Sequence, residues 1–256
     1  MGEEKKKEDR EKELKKATAG MLRSAKTIYV LLSPCTKMPY VLCDARTYDD
    51  EVLLFFEEED AKEAVKTLAR DRQPAQAVKI EKRGLPAFYI GLLPMGVNCI
   101  LVNWKKNTEV SIQLHEIVRR QEVEGKTLVE NPELHLTALY FMQETRRTQT
   151  PKLTEEMREL HEEMLVHYQE GRYILPTRED GGIVVVKQKD GKIFQPVFTD
   201  AQEFQKFIMM NQGYTLKPMV LTAEKIPAVL PEGSVGVAIN PYGVNLQMRI
   251  DRTRQK

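Results

Sequence analysis

Apolar residues recur at helical spacing from Leu14 onward, where Leu14, Ala17, Met21, Leu22 and Ala25 make one narrow stripe after the charged run 3–13. Strand patterns follow at 27–32, 38–45 and 51–56, the last two flanking the Asp49-Asp50 turn. Glu57 to Asp60 then supply an acidic first turn that suits a helix N-terminus, and Ala61, Ala64, Val65 and Leu68 form that helix's inner face. A strand is predicted near 77–80. Alternation of Phe88, Ile90 and Leu92 predicts another at 87–93. Leu93-Pro94-Met95-Gly96 reads as a type I turn closed by a left-handed glycine, leading into a return strand at 97–104.

The second half carries the same order of patterns. A helix is predicted after Thr154, with the stripe Met157, Leu160, Met164, Leu165 and Tyr168 and Gly171 at its C-cap. Strands follow at 172–176, 182–188 and 193–198, with Asp190-Gly191 as a turn. Thr199 and Gln202 suit a capping box for the next helix, which Gly213 ends. Strands near 219–221 and 235–239 lead to the turn Asn240-Pro241-Tyr242-Gly243 and a return strand at 244–250. Tyr29-Val30-Leu31 matches Tyr173-Ile174-Leu175 at an offset of 144, and Pro94-Met95-Gly96-Val97-Asn98 matches Pro241-Tyr242-Gly243-Val244-Asn245 at 147. Matches in the same place within the same order of elements point to an internal duplication.

Between the halves, Val110, Leu114, Ile117 and Val118 predict one helical stripe. Asn131-Pro132-Glu133 predicts a second helix, with Asn as N-cap and Pro at the first helical position. The expected organisation is a charged segment 1–13, a module 14–104, a connector 105–130, a second module 131–250 and a basic tail 251–256. The expected fold is α+β, with two similar modules, each a mixed or antiparallel sheet with flanking helices.

With these residues in hand, the chain resembles the SseB (enhanced serine sensitivity) family. The likeness lies in Asn131-Pro132-Glu133-Leu134, in Arg172-Tyr173-Ile174-Leu175-Pro176, in the passage 190–199 (DGKIFQPVFT) and in the closing segment 239–246 (INPYGVNL). The family name describes a phenotype, so the resemblance implies the module's fold and brings no reaction, cofactor or catalytic residue with it.

Composition narrows the chemistry. The 256 residues hold 39 basic and 38 acidic side chains, a balance that argues against a dominant nucleic-acid footprint. No apolar run approaches a membrane span, and no signal-peptide core precedes the first module, so a cytoplasmic setting is expected. Cys35, Cys43 and Cys99 lack ligand-like spacing and read as small core residues in a reducing compartment. His161 and His167 are six apart, about 120° around a helix, too far for two metal ligands on one face; His161 reads as half-buried. His115 and His135 have no Ser or Cys nucleophile beside them in sequence. Gly181-Gly182 precedes a strand rather than a helix and does not cradle phosphate. Arg146-Arg147 and 249–256 are basic but lack interleaved stacking aromatics.

No metal or cofactor is therefore expected. The candidate binding loop joins Asn240, Tyr242 and Asn245 to Met95 and Asn98, placed side by side if the modules pack pseudo-symmetrically; turn chemistry accounts for the same residues without a ligand. The leading expectation is a non-enzymatic interaction or small-ligand-sensing protein whose partner is a protein or a small ligand. The alternatives are an enzyme of small-molecule, amino-acid-related metabolism with a site at the module interface, and nucleic-acid binding through the basic tail.

Overall fold

In the computed structural model the described residues are 2–119, 128–148, 152–179, 181–182, 184–213 and 215–250. The basic tail 251–256 lies outside them, as does Ile183 within the expected strand 182–188. The chain forms two compact units, Met1–Glu122 with Arg146–Thr148, and Val123–Thr145 with Gln149–Lys256. Both are α+β.

Unit 1 runs α1 (Gly2–Ser24), β1 (Thr27–Leu32), β2 (Val41–Cys43), β3 (Asp50–Phe55), α2 (Glu58–Arg70), β4 (Gln76–Glu81), a 3-10 turn (Lys82–Gly84), α3 (Leu85–Leu92), β5 (Cys99–Val102), β6 (Val110–Gln113) and α4 (Leu114–Ile117). The charged run 3–13 is therefore the start of α1 rather than a separate segment. The sheet order is β4-β1-β3-β5-β6 with β2 also on β3; β3 and β5 are parallel and the other neighbours antiparallel. Helix α2 lays Ala61, Ala64 and Leu68 on Leu31, Leu53, Phe55 and Leu101. Alternation sends Ile28, Val30, Val52, Leu54 and Ile100 to the other face, and these are buried too, so both faces of the sheet are covered.

Two expectations fail here. Residues 87–93 are not a strand: Pro86 sits in the first helical turn and Leu85, Tyr89 and Leu92 are the buried positions, a helical spacing that outweighs the alternation, and Ile90 is left exposed. The stripe from Val110 is also not one helix. Val110 and Ile112 face inward from β6, paired with β5, and a single helical turn follows. The sheet of unit 1 thus extends beyond residue 104 into the expected connector.

Unit 2 runs α5 (Pro132–Thr148), α6 (Glu155–Glu170), β7 (Arg172–Arg178), β8 (Val186–Lys187), β9 (Ile193–Val197), α7 (Ala201–Met210), β10 (Leu216–Thr222), a 3-10 turn (Ala223–Lys225), α8 (Ile226–Val229), β11 (Ser234–Ile239) and β12 (Leu246–Arg249). Strands β12, β11, β9 and β8 form one sheet in that order and β10 pairs with β7. A single bridge, Ile174 with Phe198, joins β7 to β9. Those two residues exchange both backbone bonds, at 3.1 and 2.9 Å. The next bonded position in that register sets Pro176 against Pro196, and neither has an N–H to give. Phe198, Phe204, Phe207, Ile174 and Leu216 fill the core beneath α7.

The two units pair their strands in the same order and sense: β7, β8, β9, β10, β11 and β12 repeat the pairings of β1 to β6. Backbone bonds recur at matching places. Lys82 N donates to Lys26 O (2.8 Å) as Ala223 N does to Gly171 O (3.1 Å); Asn103 N donates to Leu54 O (2.9 Å) as Asn240 N does to Val197 O (3.0 Å). Asn103 and Asn240 are both left-handed, with φ of 54° and 47°. These registers equate Tyr29 with Ile174, one residue from the match seen in sequence. They also separate the two Pro-Gly-Val-Asn segments, since 94–98 precedes β5 whereas 241–245 follows β11. Their likeness is turn chemistry, and Asn103 is the counterpart of Asn240.

Candidate functional site

Within each unit, the residues of the expected binding loop differ in exposure and in partners. In unit 1, Met95 is buried, and Asn98 is engaged in holding strand ends: its Oδ1 accepts from Asp50 N (2.8 Å) and its Nδ2 donates to Asp49 (3.1 Å). In unit 2, Asn240 is fully buried, whereas Tyr242 is 44% exposed with its ring against Phe207, and Asn245 is exposed at φ 51°. The left-handed positions of this turn are the two asparagines rather than Gly243. Gly243 is needed for a different reason: a Cβ there would lie 2.6 Å from Glu203 Oε2.

The polar residues of unit 2 converge instead on Thr199. Asn240 Oδ1 accepts from Thr199 N (3.0 Å) while its Nδ2 donates to Thr199 Oγ1 (2.8 Å). Asn131 Nδ2 donates to Thr199 O (2.8 Å) and Arg172 O (2.7 Å), and its Oδ1 accepts from Arg172 N. Thr199 Oγ1 donates to Asp200 Oδ2 (2.8 Å), and His135 Nδ1 lies 3.4 Å from Thr199 Oγ1 and 3.6 Å from Asp200. Asp200, not Thr199, caps α7, accepting from Gln202 N and Glu203 N. Burial alone would raise the Asp200 carboxyl; His135, the Glu203 amide and Thr199 more than offset it and hold it below its ordinary value. Gly171 closes this region, since a Cβ would lie 2.2 Å from the Tyr173 hydroxyl and 2.6 Å from Asn131 Oδ1. His135, Thr199, Asp200 and Asn240 are each at most 2% exposed, so this His-Thr-Asp set is enclosed by the fold. Its work is to tie α5, β7, β9 and the 240–245 turn together.

Unit 1 has its own buried carboxylate. Glu51 accepts from Ser111 Oγ (2.6 Å) and Cys99 Sγ (3.5 Å). Burial raises its carboxyl, the two donors lower it only in part, and Asp44 and Asp49 add to the rise. Burial, with Glu51 and Asp49, also pushes up the Cys99 thiol, which makes it a poor nucleophile. Cys35 and Cys43 are exposed, contrary to their reading as core residues: Cys35 lies in the loop before β2, and Cys43 is the exposed last residue of that three-residue strand. His161 is exposed beside Phe141, not half-buried. His167 meets Glu163 at 3.2 Å. Among the described residues no group of three or more His, Cys, Asp or Glu is placed to hold a metal ion.

An open groove of about 600 Å³ lies between α2 and β4. Tyr29, Val65, Ala75 and Ala77 supply its apolar lining, and Glu58, Lys62, Lys66 and Lys79 its charged one. Lys62 is held by Glu58 (2.7 Å) and Glu59 (3.0 Å). Glu58 is lowered by that lysine first, and further by the Tyr29 hydroxyl and Lys79. Lys66 and Lys79 are exposed and neither is in a close ion pair among the described residues, although the Lys79 charge reaches Glu58; three lysines against one lining carboxylate leave the groove basic. Reading along the chain missed this site, since it needs β1, α2 and β4 assembled. Its local signals were Lys62 and Lys66 at i, i+4 and the alternation Ala75, Ala77, Lys79.

No family model and no curated protein matches the sequence. Among solved structures the chain is similar to Tic22 from Plasmodium falciparum, at 12% identity, TM-score 0.22 and coverage of 82% of this chain and 84% of that one. It is also similar to Anabaena Tic22, titled as a protein of protein transport, at 12% identity, TM-score 0.22 and coverage of 86% and 90%. A likeness at that score supports no statement about this chain's fold or role. No described helix is long and apolar enough to cross a membrane.

Proposed function

We propose that this chain is a non-enzymatic interaction protein of the SseB type, made of two diverged copies of one α+β module, and that unit 1 receives its partner in the groove between α2 and β4. The observation that carries the binding role is the groove itself: an apolar floor at a sheet edge, open to solvent, with two exposed lysines that are in no close ion pair among the described residues. His135, Asp200, Glu51 and Cys99, by contrast, sit inside buried networks around Thr199 and Glu51. Support for the duplication comes from the shared strand order, the repeated backbone bonds and the paired left-handed asparagines. Support for the SseB type comes from the segments that carry the resemblance: those holding Asn131, Arg172, Thr199 and Asn240 meet in one hydrogen-bonded knot. A cytoplasmic setting belongs to the same reading, since two exposed free thiols suit a reducing compartment.

The test is incubation of the full chain with a metabolite extract, followed over time by mass spectrometry. The expected result is an unchanged extract. A metabolite consumed in proportion to protein and time contradicts a non-enzymatic role.

A further inference from the structure

We infer that the groove of unit 1 takes an extended, acidic segment of a partner protein, added as a strand along the free edge of β4; this rests on the binding role proposed above and names its ligand class. Strand β4 pairs with β1 alone among the described residues. The Lys82–Lys26 bond lies in the same register as the β1–β4 ladder, so bonded pairs alternate from there. Ile28–Ile80 and Val30–Val78 exchange backbone bonds, whereas Thr27–Glu81, Tyr29–Lys79 and Leu31–Ala77 point theirs apart. Ala77, Lys79 and Glu81 therefore turn N–H and C=O outward, toward an added strand. Their side chains share the face of Tyr29 and Leu31, which is the groove face. One short stretch thus offers main-chain donors and acceptors, an apolar floor and a basic rim.

Charge decides the occupant. A lysine on an edge strand repels strands like itself and discourages edge-to-edge pairing. Lys66 and Lys79 stand outside any close ion pair among the described residues, although Lys79 also reaches Glu58, and Glu81, at the far end of the same face, lies beside Arg83. The two lysines turn that repulsion into attraction for a segment bearing Asp or Glu at alternate positions. An open groove encloses a small anion poorly, whereas an extended peptide covers its whole length.

Unit 2 shows the contrast. The bond from Ala223 N to Gly171 O fixes the same alternation on β10, so Pro218, Val220 and Thr222 face outward there. Pro218 is the register counterpart of Ala77, opposite Pro176 as Ala77 is opposite Leu31. It has no N–H to offer, and Val220 stands where Lys79 does. The edge of β10 is thus blocked and uncharged at the two positions that make β4 receptive.

The probe is a fluorescein-labelled (Glu-Val)4 peptide, titrated against the full chain by anisotropy, with (Lys-Val)4 as the control. The acidic peptide is expected to bind, and to weaken strongly in about 0.5 M NaCl. Lys66→Glu with Lys79→Glu should weaken it by about tenfold or more, as two reversed rim charges imply. Ala77→Pro, which copies unit 2, should abolish it. Ala77 is not bonded to β1 through its N–H, and the charge-reversal pair stands as an independent test should the proline variant misfold. Absent binding, equal binding of both peptides, or binding indifferent to the charge reversal would overturn the inference. So would sedimentation showing a dimer that Ala77→Pro dissociates, since a second copy would then hold the edge. None of these results bears on metabolite turnover, which judges the non-enzymatic role separately.

Discussion

Asn240 and Asn103 occupy equivalent left-handed positions, yet their side chains do different work, and replacing each by glycine should separate the two roles. Glycine is comfortable at φ 47° and 54°, so strain is removed in both variants. In Asn240→Gly, Thr199 N, in a residue with no exposure, loses its acceptor, and Thr199 Oγ1 loses a donor. A buried N–H without a partner costs about 1–3 kcal/mol and a lost neutral hydrogen bond about 1 kcal/mol. Relief of the left-handed strain returns about 1 kcal/mol, and the extra freedom of an unfolded glycine costs about 0.5–1 kcal/mol. The net expectation is a loss of about 2–3 kcal/mol. Asn103→Gly forfeits only an exposed 3.0 Å bond to Thr108 and removes a buried Oδ1 that has no partner, so its effect should stay within about 0.5 kcal/mol. Native-state hydrogen exchange on peptides spanning 193–200 and 50–55 reports each unit separately, and Trp104 fluorescence follows unit 1 during urea unfolding. Equal losses in the two variants, or a Thr199 amide still fully protected in Asn240→Gly, would refute the assignment.

Three further outcomes follow from the buried carboxylates and the thiols. Asp200→Ala should cost about 2–4 kcal/mol at pH 7, from two cap bonds and the Thr199 contact. Because the Asp200 carboxyl is lowered in the folded state, that stability is present above its unfolded value and lost as pH falls through the folded one, so wild type and variant should converge in acid melts. Glu51→Gln should do the opposite: a raised carboxyl favours folding only while protonated, so wild type should lose stability relative to the variant as pH climbs from the acid side to neutrality. A thiol-disulfide reagent should label Cys35 and Cys43 in the native protein and leave Cys99 unlabelled until denaturant is added. Cys43 should be the slower of the exposed pair, since burial and then Asp50, Asp44, Glu51 and Asp49 disfavour its thiolate.

What periodicity revealed and what it hid have separate physical causes. Helices α2, α5 and α6 are readable because an acidic turn or an N-cap opens a stripe of buried residues. Residues 85–92 misled because Phe88, Ile90 and Leu92 alternate by chance, while the residues that decide packing are Leu85, Tyr89 and Leu92. The order of elements in the halves was legible, but the offset drifted because Pro-x-Gly-Val-Asn suits two different connections. Only the pairing registers place Asn103 opposite Asn240. Of the expected binding loop, Tyr242 and Asn245 are exposed, whereas Asn240 and Met95 face inward, a distinction that turn composition does not encode. The network at Thr199 joins residues 41 to 68 positions apart, and the groove brings Tyr29 to residues roughly 30 to 50 positions away, beyond the reach of local spacing.

Hydrogen exchange of the full chain with and without saturating (Glu-Val)4 tests the binding role most directly. New protection is predicted for the amides of Ala77, Lys79 and Glu81, with β10 unchanged. Protection that appears on β10 instead, or a bound peptide that leaves β4 exchanging freely, would contradict it.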